Sequence, residues 1–278
     1  MSLYLIEPTN GLCNRLRSIA SGYIYSKRIN RDFKVYWKSN ADIGYCEFTD
    51  LFEPEDWLID LQTYNKMCDA SSTTVYVASK RTELVYLSDI EKSKDEVVVL
   101  AKTGGNYWHP DMSITDYNRE KSEFYNSLKP VKCVLDKVEQ FIKQYDLSKY
   151  IGVHIRRGDR KDFTPKTDAF VTAIRSLNYM NVLLCTDDSS EYDILKEELP
   201  EYNIVQLSKS KFGRDDVDSI RDALVEWYLL GMCDYVIYSH SSSFGYEACV
   251  RTLKKKSIEM RSKKHKTSNE LRNLPPIL

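Results

Sequence analysis

The residues from Tyr150 to Asp159, YIGVHIRRGD, run as an apolar strand into two adjacent arginines and a glycine. The strand pattern places Arg156 and Arg157 where a buried strand gives way to a turn. An Arg side chain presents a rigid fork of N–H donors that matches a phosphate, and each such charge-assisted hydrogen bond contributes roughly 1.5–3 kcal/mol. The run therefore predicts an anion site at a strand end, although two surface arginines in salt bridges would have the same sequence.

Strand and helix patterns alternate on both sides of this run. Such alternation is typical of parallel sheets covered by helices, and ligands bind these sheets at the carboxyl ends of the strands. We expect an α/β protein with two Rossmann-like domains facing a cleft, residues 1–148 and residues 149–278. Strand patterns occupy 3–6, 34–37, 75–77, 84–86, 97–100, 150–155, 180–184, 202–207 and 234–238, and helical patterns occupy 12–24, 131–145, 190–199, 215–232 and 244–253.

The composition excludes several classes of protein. Hydrophobic residues make up 42% and charged residues 29% of the 278, which is typical of a soluble globular chain. A formal net charge of −1 disfavours a general nucleic-acid binder. No apolar run approaches the roughly 18 residues of a membrane span, and no signal peptide is visible. The seven cysteines show no zinc-site spacing, so we expect reduced thiols and a cytoplasmic location.

Polar residues follow two further strand patterns. Asp187 and Asp188 come after the strand that ends at Thr186. Adjacent carboxylates can bind a metal, a sugar hydroxyl or an Arg, but a favourable start of the next helix is the simpler explanation. The loop from Ser239 to Gly245 offers several hydroxyl and backbone N–H groups before a helix, and this pattern predicts a phosphate site. Its four hydroxyl groups belong to Ser239, Ser241, Ser242 and Ser243.

A loop near the N-terminus has the same strand–loop–helix form and is expected to face these segments across the cleft. Its candidate residues are Asn10, Gly11, Asn14 and Arg15. The loop is not G-x-G-x-x-G, and no G-x-x-x-x-G-K-[ST] occurs in the chain. A nicotinamide enzyme and a P-loop NTPase are therefore disfavoured.

The strand-end segments resemble, in the same order, the three signatures of the α1,2-, α1,6- and protein-O-fucosyltransferase superfamily. The run from His154 to Asp159 is similar to the first signature, the H-x-R-R-G-D motif. The resemblance covers roughly residues 150–250, and the loop at 11–16 resembles more weakly the Gly-Leu-Gly-Asn opening of the α1,2 branch, with Cys13 in place of the second Gly. The resemblance implies a GT-B fold and inverting, metal-independent transfer of L-fucose from GDP-fucose to a glycan hydroxyl. The first domain would then take the acceptor and the second the nucleotide sugar.

The resemblance also implies roles for single residues. His154 would contact the nucleoside, and Arg157, helped by Arg156, would hold the β-phosphate. Glu226 would read the edge of guanine, because a carboxylate can accept hydrogen bonds from the N1–H and N2–H₂ groups together; a solvated position on an amphipathic helix is an equal alternative. The implied donor set is His154, Arg156, Arg157, Asp187, Glu226, Ser241, Ser242, Ser243 and Phe244.

The catalytic residues expected are Arg157, Asp162 and Asp159. Arg157 would stabilise the charge that develops on the departing diphosphate, and Asp162, or Asp159 as the alternative, would accept the acceptor proton. The acidic residue that some family members carry after the motif corresponds here to Thr164, so that assignment does not transfer. The Asp-x-Asp at 216–218 is interpreted as a charge cluster before a helix, and no metal site is expected.

Other hypotheses remain open at this point. The donor could be another nucleotide sugar, such as UDP-xylose, or the chain could be a non-catalytic module that binds nucleotides or sugars. Arg157-Gly158-Asp159 is also an adhesion tripeptide, but its place directly after a buried strand disfavours that function. The basic segments 254–256 and 261–266, with a strand candidate at 258–260 between them, could contact an anionic membrane surface.

Overall fold

The computed structural model describes residues 2–78, 83–158, 164–240 and 242–262. The chain divides into two compact units, Met1–Val131 and Lys132–Leu278. The sequence places the division later, after residue 148, because it assigns the helix that follows Val131 to the first domain. In the structure this helix packs on a helix of the second unit, where Lys137 Nζ donates to Asp222 Oδ1 over 2.5 Å.

The first unit contains a parallel sheet with the strand order β3-β2-β1-β5-β4. The expected strand at 84–86 is wrong, since these three residues lie in the first turn of a helix that begins at Glu83. Leu87 and Ile90 are buried at a spacing of three residues, whereas Leu84 and Val85 are exposed. The elements are β1 Leu3–Pro8, α1 Leu12–Arg28, β2 Asp32–Tyr36, β3 Leu58–Ile59, α2 Leu61–Cys68, β4 Thr73–Val77, α3 Glu83–Lys92, β5 Val97–Thr103 and α4 Ile114–Ser127.

The second unit contains another parallel sheet, with the order β10-β9-β6-β7-β8. The strands and helices that the sequence predicts here are confirmed to within a few residues, including the strand candidate at 258–260. Helix α6 was not predicted. The elements are α5 Lys132–Gln144, β6 Tyr150–Ile155, α6 Thr167–Arg175, β7 Asn181–Thr186, α7 Ser190–Glu198, β8 Asn203–Gln206, α8 Val217–Met232, β9 Tyr235–Ser239, α9 Ser243–Arg251 and β10 Ser257–Met260.

Strand β6 lies at the centre of the second sheet, and all six of its residues are buried. Val153 and Ile155 contribute to an apolar core that includes Phe170 of α6. The absence of a side chain at Gly152 lets helix α8 approach closely, since a Cβ there would lie 2.7 Å from Leu230 Cδ1. The strand is therefore held firmly on both faces, and its carboxyl end is a fixed platform for the residues that follow.

The chain order creates a switch point between β6 and β9. From β6 the chain adds β7 and β8 on one side, and it then crosses over to add β9 and β10 on the other side. In open parallel sheets, the loops that leave such a point diverge and open a crevice at the carboxyl ends of the strands. The two loops concerned are the ones that carry the arginine pair and the serine run. None of the helices in the described part of the chain is long and apolar enough to span a bilayer.

Candidate functional site

Hydrogen bonds join the carboxyl ends of β6 and β9. The backbone N–H of Arg156 donates to Ser239 Oγ over 2.9 Å, and Ser239 Oγ donates to the carbonyl of His154 over 3.3 Å. Ser239 is fully buried. The first residues of both loops are therefore fixed relative to each other at the switch point.

Arg156 is the half-buried member of the arginine pair. Its guanidinium binds the carboxylate of Asp187, the first residue after β7, and both side chains are 18% exposed. The other oxygen of Asp187 accepts the backbone N–H of Arg157 over 2.6 Å. Gly158 makes this arrangement feasible, because its φ is +26° and a Cβ there would lie 2.7 Å from Asp187 Oδ2. Asp187 thus organises the turn and orients Arg156.

Arg157 points into the protein. Its Nε donates to Glu191 Oε1 over 2.5 Å, and its two Nη atoms donate to Thr164 Oγ1, Thr167 Oγ1 and the carbonyl of Pro165. Thr167 also donates to the second oxygen of Glu191 over 2.8 Å. The side chains of Arg157 and Glu191 are 5% and 4% exposed. With its donors engaged in this way, Arg157 anchors the turn, and Arg156, which pairs with Asp187, is the more exposed arginine of the two.

His154 and Phe244 form an aromatic pair across the switch point. Their rings stack with centroids 4.8 Å apart and an interplanar angle of 24°. Burial, with the charges of Arg156 and Lys209 nearby, lowers the pKa of His154 to about 3, so its imidazole is neutral. Its buried Nδ1 has no hydrogen-bond partner within the described residues. A buried polar atom of this kind is normally satisfied, and a bound ligand can supply the missing partner.

The serine run precedes helix α9. Ser242 is the N-cap residue, but its side chain makes no capping hydrogen bond to the helix, and Ser242 and Ser243 are both partly exposed. Gly245 presses the start of the helix against β9, since a Cβ there would lie 2.3 Å from Tyr238 Cβ. The helix N-terminus favours an anion at this position. Ser241 lies outside the described residues.

Glu226 is buried on helix α8, so the alternative of a solvated helix position is wrong. Lys209 Nζ donates to Oε1 over 2.8 Å and to Oε2 over 2.9 Å, and also to the carbonyl of Thr186 over 2.7 Å. Burial raises the pKa of Glu226 to about 7, although Lys209 opposes the shift. Sequence reasoning missed Lys209, because a lysine within the polar run from Ser208 to Lys211 gives no sign of burial.

The loop after β1 is held by Arg15, which is fully buried. Its Nε donates to the carbonyl of Asn10 over 2.7 Å, Nη1 to the carbonyl of Lys38 over 2.8 Å, and Nη2 to Asn40 Oδ1 over 2.9 Å. Its guanidinium also lies 4.8 Å from the ring centroid of Trp37. Arg15 is therefore a structural residue of the loop, and desolvation by burial lowers its pKa to about 10.

The other residues predicted in this loop range from buried Gly11 to exposed Asn10. Asn10 is exposed with φ of 66°, Asn14 is half-buried, and Gly11 is the N-cap of α1. The loop after β5 lies against Asn10, since a Cβ on Gly104 would lie 2.7 Å from Asn10 Nδ2. This contact was not predicted, and Asn10 with the Gly104 backbone marks the carboxyl edge of the first sheet.

The remaining sequence predictions concern the Asp-x-Asp at 216–218, the two candidate bases and the basic tail. Asp216 is the N-cap of α8, accepts the N–H of Ser219 over 2.9 Å and pairs with Lys211, so the helix-start interpretation of the Asp-x-Asp is confirmed. Asp159 and Asp162 lie outside the described residues, as does the tail from residue 263 onward. Among the residues that the structure describes, no group of three or more His, Cys, Asp or Glu is placed to hold a metal ion.

Two parallel sheets, each built from strands that alternate with helices, define a two-domain α/β fold of the GT-B-like type. The chain is similar to the NodZ α-1,6-fucosyltransferase soaked with GDP-fucose, with a TM-score of 0.69 and 18% identity over 93% of this chain and 95% of that chain. A NodZ structure from Bradyrhizobium has a TM-score of 0.67 and 19% sequence identity, over 95% of this chain and 97% of that chain. A variant of Arabidopsis thaliana FUT1 in complex with GDP has a TM-score of 0.64 and 16% sequence identity, over 95% of this chain and 72% of that chain.

POFUT1 in complex with GDP-fucose shows a weaker similarity, with a TM-score of 0.54 and 10% identity over 93% of this chain and 97% of that chain. No family model and no curated protein matches the sequence. The chain therefore shares its fold with fucosyltransferases.

Proposed function

We propose that the chain is a fucosyltransferase that moves L-fucose from GDP-fucose to a hydroxyl group of a glycan. One observation carries this proposal: the loops after β6 and β9 meet at the switch point of a sheet whose fold is shared with fucosyltransferases. These loops bring together an arginine, a helix N-terminus and a buried imidazole nitrogen that has no hydrogen-bond partner among the described residues. This combination suits a nucleoside diphosphate.

In the proposed reaction, Arg156 binds the diphosphate. The C–O bond to the sugar breaks early, and negative charge grows on the departing diphosphate. A guanidinium and a helix N-terminus directed at that charge stabilise the transition state more than the ground state. Asp187 keeps Arg156 oriented before the donor arrives, and Ser242 and Ser243 supply hydroxyl and N–H donors. The resemblance ranks Arg157 first, and the burial of Arg157 favours Arg156 in that role.

The nucleoside lies beside His154 in this proposal. Because the imidazole is neutral, Nδ1 either accepts a hydrogen bond from the nucleoside or donates one to it, and the other ring nitrogen takes the complementary role. The stacked Phe244 holds the imidazole plane fixed. Glu226 is the residue assigned to the N1–H and N2–H₂ edge of guanine, which requires its carboxylate to be accessible.

The proposal has three further parts. The reaction inverts the configuration at the anomeric carbon, it needs no metal ion, and the acceptor binds to the first domain. The base is assigned to Asp162, with Asp159 as the alternative, since either would follow the arginine turn and could take a hydroxyl proton. On the first domain, Asn10 and Asn14 offer amide groups that can bind sugar hydroxyls.

Ligand binding and product analysis test the proposed function. The midpoint temperature of thermal unfolding should rise when GDP or GDP-fucose is added and should not change with UDP or UDP-xylose. Only a ligand that binds the folded state shifts the unfolding equilibrium in this way. Incubation with GDP-fucose and a panel of glycans should then yield a fucosylated product. A rise with UDP-sugars alone would contradict the assigned donor, and binding of GDP-fucose without transfer or hydrolysis would identify a non-catalytic module.

A further inference from the structure

The ion pair between Lys209 and Glu226 occupies the position that the proposed base contact needs. The ammonium donates to both carboxylate oxygens, at 2.8 and 2.9 Å, and its third N–H reaches the carbonyl of Thr186 at 2.7 Å. Both side chains are 5% exposed. An ammonium bound to both oxygens lies between them, where the paired N–H donors of a guanine edge would also have to lie. The two ligands of the carboxylate therefore exclude each other.

We propose that Lys209 competes with the guanine base for Glu226 and that nucleotide binding releases Lys209 to solvent. The inference rests on the proposed function and adds a residue that controls donor affinity. The Lys209 ammonium pairs with a buried carboxylate that would otherwise carry an unpaired charge. Guanine replaces it with two N–H donors of its own, whereas uracil, with a single N–H on its edge, cannot match both oxygens.

The segment that carries Lys209 is suited to this exchange. Between β8 and α8, the neighbouring residues Ser208, Ser210 and Lys211 are exposed, so displacement of the segment uncovers little apolar surface. The ammonium also lies over the ring of Phe212, with 4.6 Å between Lys209 Nζ and the ring centroid. The carboxylate, in contrast, is fixed on helix α8, which packs directly on β6.

Lysine labelling tests the release directly in the wild-type protein. At limiting acetylating reagent, Lys209 should react slowly in the free protein, should become several-fold more reactive at saturating GDP, and should be unaffected by UDP. Lys256, which is exposed and pairs with Asp234, is the control lysine and should react equally throughout. Continued protection of Lys209 while GDP stabilises the protein would overturn the competition alone. Absence of any stabilisation by GDP would overturn the proposed function as well.

A matched pair of variants provides the second test. At pH 8.5, Lys209→Met should bind GDP about tenfold more tightly than wild type, because a competing charge-assisted contact is gone. Its affinity for UDP should not change. Lys211→Met, on the same segment, should leave both affinities unchanged. Weaker GDP binding by a folded Lys209→Met, or an equal change for GDP and UDP, would show that Lys209 supports the site and would overturn the inference.

Discussion

Arg157 Nε donates to Glu191 Oε1 over 2.5 Å, and the two side chains are buried together beneath the turn that follows β6. Thr167 reaches the second oxygen of Glu191 and also accepts from Arg157, so the pair is hydrogen-bonded on both sides. A buried pair of this kind stabilises the fold little compared with apolar residues, but removal of one partner leaves a buried charge without compensation.

The first prediction concerns this pair. Arg157→Ala should lower the free energy of unfolding by about 3–5 kcal/mol, because Glu191 then remains buried without a counter-charge. The double variant Arg157→Met with Glu191→Leu should recover most of the loss. Urea denaturation monitored by circular dichroism measures both. An Arg157→Ala protein of wild-type stability that has lost transfer activity would instead indicate direct contact with the donor.

The second prediction concerns Arg156, whose removal should affect the rate of transfer and not the stability of the protein. Arg156→Ala should reduce the rate of transfer by about a hundredfold or more, because it removes a donor directed at the charge of the transition state. Stability should change little, since the side chain is only partly buried. Steady-state kinetics and urea denaturation measure the two effects, and Arg175→Ala, which removes an exposed arginine of α6, is the control. Unchanged turnover in Arg156→Ala would contradict the assignment of the diphosphate site.

The sequence predicted where the arginine pair lies, but it did not predict which arginine anchors the turn and which one faces the proposed diphosphate. Arg156 pairs with Asp187 and Arg157 pairs with Glu191, so the two guanidinium groups are held by different partners. The choice between them depends on Glu191, which lies on helix α7 and comes near only through the β6–β7 pairing. No local pattern encodes that contact, and the resemblance alone ranked Arg157 first.

Other parts of the chain also show where local sequence patterns succeed as predictors and where they fail. Alternating strands and helices predicted the second sheet well because its central strands, β6 and β7, are six residues long, mostly apolar and almost wholly buried. The three residues Leu84-Val85-Tyr86 were misassigned because so short an apolar run fits a strand or a helix equally. Glu226 and Lys209 were separated in the sequence by a polar loop, so neither residue showed that the other would neutralise it in a buried site.

The third prediction concerns the start of helix α9. Gly245→Ala should destabilise the protein and weaken GDP binding, because the new methyl group would lie 2.3 Å from Tyr238 Cβ and would push the helix start, with Ser243 and Phe244, away from β9. Gly213→Ala is the control, since its methyl group would meet only the carboxylate of Asp215, an exposed and flexible side chain. Thermal unfolding and GDP titration should separate the two variants, and equal behaviour would contradict the packing argument.

The fourth prediction is that transfer continues in excess EDTA. If a guanidinium and a helix N-terminus neutralise the departing diphosphate, chelation of divalent ions removes nothing that the reaction needs. The measurement is the initial rate of transfer after dialysis against EDTA, compared with the rate after Mn²⁺ is added back. Complete loss of activity that Mn²⁺ restores would contradict metal-independent transfer.

The final prediction is a pair of opposite pH dependences. His154 has a usual pKa of 6.5 and a pKa of about 3 in the folded protein, so between these values the unfolded state binds the proton and stability rises with pH. Glu226 has a usual pKa of 4.5 and a pKa of about 7 when folded, so the folded state binds the proton and stability falls as pH rises through that window. Between pH 4.5 and 6.5 the two contributions oppose each other in the wild-type protein.

Single substitutions should separate these contributions. In Glu226→Gln, only the His154 contribution remains, so the free energy of unfolding should rise with pH relative to wild type by up to about 1.4 kcal/mol per pH unit. In His154→Gln it should fall relative to wild type over the same range. Urea denaturation at pH 4.5, 5.5 and 6.5 gives the three curves, and other titrating groups cancel in the differences. Parallel curves would show that neither group titrates abnormally, and the neutral imidazole beside Phe244 would then lose its support.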